Sequence, residues 1–216
     1  MAPRWPWPRV RGASRATWWC RKAPTPPNGP TSRVRAPPCT PARPPYTDPH
    51  VIAGQGTAAL ELINAKGPLD VLVAPVGGGG LLSGTALAVA ATASGCRVMG
   101  AEPTGAADAA ESLAAGELRV DFIPDTLCDG LRGTLGAPNF ALLRAHRVEV
   151  VTVPDAETFV AMRLLWECLK LLVEPSSAIA LAAILRQRER LAGQRVGVIL
   201  SGGNVDLDAL PWKAAA

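Results

Sequence analysis

The sequence lacks several features that would assign it to particular protein classes. No run of about 18 apolar residues occurs without charge or glycine, so we expect no membrane span. The five cysteines are odd in number and widely scattered, and no CxxC or paired Cys/His spacing occurs. This pattern argues against a zinc ribbon and against a disulfide framework, and it favours a reducing, cytoplasmic setting.

Acidic residues are missing from positions 1–45, where nine basic residues stand among prolines and four tryptophans. This segment has almost no aliphatic periodicity, so it cannot bury enough apolar area to offset the entropy lost on folding. We therefore expect residues 1–45 to be disordered. A mitochondrial transit peptide, a basic nucleic-acid-binding tail and a reading-frame error upstream of Tyr46 remain alternative interpretations.

The rest of the chain has the opposite charge balance. From Tyr46 onward, 13 basic residues face 18 acidic ones, a net charge of −5. The sequence pI of about 9.0 therefore reflects the first segment alone. We expect no nucleic-acid partner for the folded part.

Alternating helix and strand patterns begin after Tyr46 and predict one α/β domain over residues 46–212, followed by a short tail at 213–216. The predicted helices are Gly56–Lys66, Leu81–Ser94, Asp155–Leu172 and Pro175–Leu191. The predicted strands are Asp70–Val76, Arg97–Glu102, Val148–Val153 and Val196–Leu200. This alternation indicates a doubly wound, mostly parallel sheet with helices on both faces.

Four consecutive glycines, Gly77, Gly78, Gly79 and Gly80, join a predicted strand to a predicted helix. Backbone N–H groups without side chains can converge on one anion there, and the helix adds its positive end. Such a loop should remain accessible and should face the loop after the last strand. A tight turn without a ligand is one alternative. A dinucleotide fold, with Glu102 binding a ribose, is another.

A second glycine pair, Gly202-Gly203, follows the last strand. Six segments occur in an order and spacing that resemble the serine racemase and threonine/serine dehydratase family: YTDPHVIAGQGT, VGGGGLLSG, AEPTGAAD, CDGLRGTLG, LLVEPSSA and LSGGNVD. These are pyridoxal-phosphate enzymes of fold type II, the tryptophan synthase beta-like class. The resemblance covers about 165 residues, the C-terminal half of such an enzyme.

The resemblance implies roles for particular residues. Gly77–Gly80 would bind the phosphate of pyridoxal phosphate, and Ser201, with Gly202 beside it, would face the pyridine nitrogen. Gly130, preceded by Asp129, would line the face of the ring, and Glu174 would lie near the ring. For Glu174, an acid that merely stabilises the start of its helix is an equally good interpretation.

The resemblance also implies a divalent-cation site at Glu102, Ala106 and Asp108. Two carboxylates and one backbone carbonyl, completed by water, suit Mg²⁺ or Ca²⁺, and Mn²⁺ is a further candidate. From the residues alone, two acids six positions apart usually form a solvated turn, so the cation site rests on the resemblance.

The lysine that anchors the cofactor and removes the substrate α-proton is missing. The chain has four lysines, Lys22, Lys66, Lys170 and Lys213, and none stands in the family's Ser-x-Lys context. We therefore predict no catalytic residue in this chain and no efficient activity of the chain alone.

The resemblance implies an intact homodimeric relative that racemises serine or eliminates ammonia from serine, threonine or 3-hydroxyaspartate. The residues that resemble a cation site, and the lack of a regulatory domain after Trp212, favour the racemase and hydroxyaspartate branch. Two alternatives stay open: a non-catalytic paralogue that binds the cofactor or dimerises, and an NAD-dependent oxidoreductase.

Overall fold

The computed structural model describes residues 19–20, 44–208, 210 and 212. The expected disorder of residues 1–45 and the expected tail at 213–216 therefore lie almost wholly outside the described residues. Among the helices in the described ranges, none is long and apolar enough to cross a membrane.

The centre of the fold is a parallel sheet. Its strands are β1 (Trp19–Cys20), β2 (Val71–Pro75), β3 (Arg97–Pro103), β4 (Glu149–Val153) and β5 (Val196–Leu200). They lie in the order β1-β5-β2-β3-β4, and every neighbouring pair is parallel. All five residues of β2 are buried, as expected for a strand covered on both faces.

Helices pack on both faces of this sheet, which confirms the fold class predicted from the alternation of elements. They are α1 (Pro49–Lys66), α2 (Gly80–Thr92), α3 (Asp108–Ala115), α4 (Ala137–Ala145), α5 (Asp155–Leu164) and α6 (Pro175–Arg186). One hydrophobic core, which includes Val73 and Ile179, joins the sheet to α5 and α6. The other, which includes Leu72 and Leu82, joins the opposite face to α1 and α2.

Several helix boundaries differ from those predicted. α1 begins seven residues earlier than Gly56, at Pro49, because the Asp48 side chain accepts hydrogen bonds from the amides of His50 and Val51 and so caps the helix. α6 ends at Arg186 and not at Leu191. Residues 187–190 are all polar, so they offer no apolar face that packing could stabilise as helix.

The helix predicted over Asp155–Leu172 is shorter and irregular. α5 stops at Leu164, a π-helical turn covers Leu165–Leu169, and Lys170 has a left-handed backbone with φ of 58°. The indole N–H of Trp166 donates to the carbonyl of Val173 at 2.9 Å and holds the chain folded back toward α6. The sequence also gave no prediction for α3 and α4, which are only 8 and 9 residues long.

Candidate functional site

Two glycine-containing loops meet at one edge of the sheet. Because β2 and β5 are parallel neighbours, the chain leaves both strands at the same edge. The glycine loop, Gly77–Gly80, follows β2, and Ser201 follows β5 directly. In open α/β sheets this edge is where ligands bind.

The glycine loop presents unused hydrogen-bond donors. Within the described part of the chain, the amide N–H groups of Gly77, Gly78 and Gly79 donate to no protein acceptor. Gly79 has a φ of 91°, which side-chain-bearing residues rarely adopt, and α2 begins at the next residue. Unpaired amides followed by a helix N-terminus are an arrangement that binds an anion.

Protein atoms cover one side of this loop. A methyl group on Gly78 would lie 2.6 Å from the ring of Tyr46, and one on Gly79 would lie 2.8 Å from Cβ of Asn139. Gly77, Gly79 and Gly80 are buried, and Gly78 is half-buried. The expectation of an accessible loop is therefore wrong for three of its four glycines, because these side chains pack against it.

Asn139 fixes the backbone of the glycine loop. Its Nδ2 donates to the carbonyl of Gly78 at 2.6 Å and to the carbonyl of Tyr46 at 2.9 Å. The amide of Gly136 donates to the same Gly78 carbonyl at 3.2 Å. The carbonyl of Gly78 is therefore turned toward Asn139 and Gly136.

The Glu174 carboxylate lies between two of the predicted site residues. A methyl group on Gly202 would collide with this carboxylate, and one on Gly130 would lie 3.7 Å from its Oε1. Oε2 of Glu174 accepts a hydrogen bond from the Asn204 amide at 2.6 Å. Burial raises the pKa of Glu174 above its ordinary value, although the Asn204 amide acts in the opposite direction.

The loop that carries Gly130 lies next to the glycine loop. A methyl group on Gly77 would lie 3.0 Å from Cα of Leu131 and 3.4 Å from the carbonyl oxygen of Gly130. Gly130 itself and Ser201 are exposed. Among the described residues, the Ser201 hydroxyl has no hydrogen-bond partner. The structure thus brings together the residues predicted to contact the cofactor.

The two acids of the predicted cation site are both buried, with Glu102 fully enclosed. The Glu102 oxygens accept hydrogen bonds from the amides of Ala109 at 2.9 Å and Ala110 at 2.8 Å, at the start of α3. Oδ2 of Asp108 accepts from the Leu135 amide at 2.7 Å. Burial raises the pKa of Glu102 to about 8, and the charge of Asp108 adds to that increase.

The unsatisfied atoms at this place fit a cation. Oδ1 of Asp108 is buried and has no hydrogen-bond partner, and no amide of the described chain donates to the carbonyl of Ala106. Two buried carboxylates without a positive neighbour are costly, and an oxygen-binding cation would remove that cost. The described residues contain no cluster of three or more His, Cys, Asp or Glu side chains suited to a metal, so a cation here would need the carbonyl and water.

Neither of the two lysines within the described residues makes a hydrogen bond or ion pair with a predicted site residue. Lys66 ends α1, and its carbonyl accepts from Arg195, which immediately precedes β5 at the opposite edge of the sheet. Nζ of Lys170 donates to the carbonyl of Glu167 at 2.7 Å. Lys22 and Lys213 lie outside the described residues.

Comparison with known proteins assigns a family to this arrangement. A family model described as pyridoxal-phosphate dependent enzyme matches residues 33–202, a span that includes the glycine loop and ends at Gly202 in the loop after β5. The chain belongs to this family. Membership favours pyridoxal phosphate over a dinucleotide as the ligand of the glycine loop.

Individual relatives agree with this assignment. The chain is 50% identical over 169 residues to a beta-hydroxyaspartate dehydratase of Paracoccus denitrificans, covering 78% of this chain and 54% of the relative. The crystal structure of serine racemase from Dictyostelium discoideum is 44% identical, with a TM-score of 0.71 over 76% of this chain and 53% of that one. A threonine deaminase isoform from Solanum lycopersicum is 31% identical, with a TM-score of 0.72 over 77% of this chain and 47% of that one. The chain spans about half the length of the curated relatives it matches.

Two residues at the site were missed by the sequence analysis. Asn139 lies in α4, a helix that was not predicted, although Pro138 just before it is a helix-start signal. Ser176 lies two residues beyond Glu174, and its Oγ accepts a hydrogen bond from the amide of Gly130 at 3.0 Å. No sequence pattern indicates that contact, because the two residues are 46 positions apart.

Proposed function

We propose that this chain forms the cofactor-binding part of a pyridoxal-phosphate enzyme that acts on small hydroxy amino acids. In this proposal Gly77–Gly80 bind the cofactor phosphate, and Ser201 and Gly202 border the ring nitrogen. Gly130 and Glu174 border the face and rim of the ring. The substrate is serine, threonine or 3-hydroxyaspartate, and the reaction is racemisation or elimination of ammonia.

One observation supports this proposal most directly. The free amides of Gly77, Gly78 and Gly79 and the free hydroxyl of Ser201 lie at the same edge of two adjacent parallel strands. The amides suit a phosphate, and the hydroxyl suits an uncharged ring nitrogen. A ligand with an anionic group on one side and a heteroaromatic nitrogen on the other satisfies both.

When bound, pyridoxal phosphate supplies an electron sink that makes loss of the substrate α-proton feasible. The residues of this chain determine how strong that sink is. A serine hydroxyl at the ring nitrogen cannot stabilise a protonated ring as a carboxylate would, so Ser201 keeps the nitrogen neutral and the sink moderate. The Glu174 carboxylate accepts a hydrogen bond from the Asn204 amide at 2.6 Å and lies against Gly202 in that loop.

We include a divalent cation in this proposal, bound by Glu102, Asp108 and the carbonyl of Ala106. The unpartnered Oδ1 of Asp108 and the proximity of two buried carboxylates support it. Mg²⁺, Ca²⁺ and Mn²⁺ are the ions that such oxygen ligands favour.

Cofactor binding can be tested without any turnover. The 216-residue chain should bind inorganic phosphate and 4′-deoxypyridoxine 5′-phosphate, an analogue that has no aldehyde, in calorimetric titrations. Gly78→Ala should weaken both, because its methyl group would lie 2.6 Å from the Tyr46 ring. Gly95→Ala is the matched control, since a methyl group there meets no atom within 4 Å. Tight binding of NADH with no binding of either probe would favour the nicotinamide alternative.

We also propose that the chain alone does not catalyse the reaction. Loss of one general base costs about 10²–10⁴-fold, and loss of the covalent anchor adds to that. With pyridoxal phosphate and L-serine, L-threonine or 3-hydroxyaspartate, neither ammonia nor the opposite enantiomer should form. Turnover, together with a borohydride-reduced cofactor on Lys22, would contradict this part of the proposal.

A further inference from the structure

The first turn of α6 contacts two separate loops of the candidate site. Glu174, the residue that precedes the helix, accepts a hydrogen bond from the Asn204 amide in the loop after β5. Ser176, one residue beyond Pro175, contacts the loop that carries Gly130. Both loops therefore depend on the same helix turn for their position.

Ser176 makes two hydrogen bonds to the Gly130 loop. Its Oγ accepts from the Gly130 amide at 3.0 Å and donates to Oδ1 of Asp129 at 3.3 Å. The same Asp129 oxygen accepts from the Gly130 amide at 2.9 Å. These three groups form a closed triangle in which the serine is the only buried member, with 3% of its surface exposed.

We infer that Ser176 is a positioning residue, which holds Gly130 next to Gly77 at the place proposed for the cofactor ring. This inference rests on the proposed function, because it assigns Gly130 to the ring face. Asp129 and Gly130 are exposed, so neither is immobilised by packing. A buried hydroxyl on a helix is a rigid support for such a loop, since its own backbone cannot move.

The neighbouring residue provides a matched control. Ser177 is also buried and lies in the same helix turn, but its Oγ has no hydrogen-bond partner among the described residues. Ser176→Ala and Ser177→Ala therefore remove the same atom from adjacent buried positions. Only the first change removes a contact to the candidate site, and Ser176→Thr keeps the hydroxyl.

The first measurement needs no ligand. In the ¹⁵N-labelled full chain, Ser176→Ala should speed hydrogen exchange of the Gly130 amide by about three- to tenfold. The amide loses Ser176 as an acceptor, and its remaining acceptor, the Asp129 carboxylate, loses the hydrogen bond that ties it to α6. Ser177→Ala should change it by less than about twofold, and Ser176→Thr should restore slow exchange. Equal exchange in Ser176→Ala and Ser177→Ala would overturn the inference.

The second measurement separates the ring from the phosphate. Ser176→Ala should weaken binding of 4′-deoxypyridoxine 5′-phosphate by about three- to tenfold. Its affinity for inorganic phosphate should stay within about twofold, because the glycine loop amides are not touched. An equal loss for both probes would show general damage and overturn the inference. If the unaltered chain binds neither probe, the proposed function fails, whereas the exchange experiment still decides whether Ser176 holds Gly130.

Discussion

At the scale of single residues, the candidate site depends on side chains that never touch the proposed ligand. Asn139 is fully buried and donates to two backbone carbonyls from different segments, those of Tyr46 and Gly78. Turning a carbonyl toward a side-chain donor also turns the neighbouring amides away from it. The amide of Gly79, which shares its peptide group with the Gly78 carbonyl, therefore points away from Asn139, as the proposed phosphate site requires.

Replacing Asn139 tests this arrangement. Asn139→Ala should lower the free energy of unfolding by about 1–3 kcal/mol, since two half-buried carbonyls lose this donor and only that of Gly78 keeps another, the Gly136 amide. The measurement is urea unfolding followed by circular dichroism. Phosphate affinity, measured on the folded variant, should fall as well.

Ser83→Ala is the control for that variant. Ser83 is fully buried in α2, and its hydroxyl has no partner among the described residues. Its loss should therefore be neutral or stabilising by less than about 1 kcal/mol. If Asn139→Ala and Ser83→Ala destabilise the chain equally, the loss comes from altering a buried position and not from the Asn139 hydrogen bonds.

At the scale of elements, α1 and α2 approach each other closely enough that backbone touches backbone. A methyl group on Gly84 would collide with the carbonyl of Ile52, and one on Gly56 would lie 2.6 Å from the carbonyl of Gly84. This contact fixes α2, whose N-terminus follows the glycine loop. The direction of the helix that supports the proposed phosphate site therefore depends on two glycines.

Gly84→Ala should destabilise the chain by about 3 kcal/mol or more, because a rigid carbonyl cannot move aside as a side chain can. Gly54→Ala is the opposite case. Gly54 is on the exposed side of α1, where a methyl group meets no atom within 4 Å. Gly54→Ala should stabilise the chain by about 0.5–1 kcal/mol, because alanine has a higher helix propensity than glycine. Thermal unfolding of Gly84→Ala and Gly54→Ala tests both expectations. Equal changes in Tm would contradict a close contact between α1 and α2.

Individual helices and strands show which parts of the fold could be predicted from the sequence. β2 and β5 could be predicted because each is a short apolar run buried on both faces, and α2 because it follows glycines. The role of Asn139 in α4 could not be predicted, because it depends on a hydrogen bond to Gly78, 61 positions away. The end of α5 was also missed, since the Trp166 hydrogen bond to Val173 replaces the regular helix only in the folded chain. Local patterns predicted four of the five described strands, whereas β1 was missed because Trp19–Cys20 lies in the segment expected to be disordered. Long-range contacts set the details of the site.

At the scale of the whole molecule, the two buried acids connect the sheet to the glycine loop. Glu102 is in β3 and accepts hydrogen bonds from the start of α3, while Asp108 accepts from the amide of Leu135. The side chain of Leu135 packs on Gly79: a methyl group there would lie 2.6 Å from its Cδ1. These acids are therefore linked by direct contacts to the sheet, to α3 and, through Leu135, to the proposed phosphate site.

The raised pKa values of these two acids predict how the stability of the fold depends on pH. The ordinary pKa of Glu102 is 4.5, and burial raises it to about 8 in the folded chain. Burial also raises the pKa of Asp108. Between pH 4.5 and about pH 8, the Glu102 carboxyl keeps its proton in the folded state but has lost it in the unfolded state. The stability that Glu102 contributes is therefore fully present below about pH 4.5 and is lost as the pH rises toward 8.

In a chelating buffer, the Tm should therefore fall between pH 5 and pH 8, by on the order of 2–4 °C for each kcal/mol lost in a domain of this size. The Glu102→Gln variant has no ionisable group at this position, so its Tm should fall less over the same pH range. Saturating Mg²⁺ or Ca²⁺ should offset the decline at pH 8, because a cation binds the ionised carboxylates and stabilises only the folded state. A Tm that stays flat or rises across this range in chelator would mean that Glu102 is already ionised without a cation, held by its two amide donors alone.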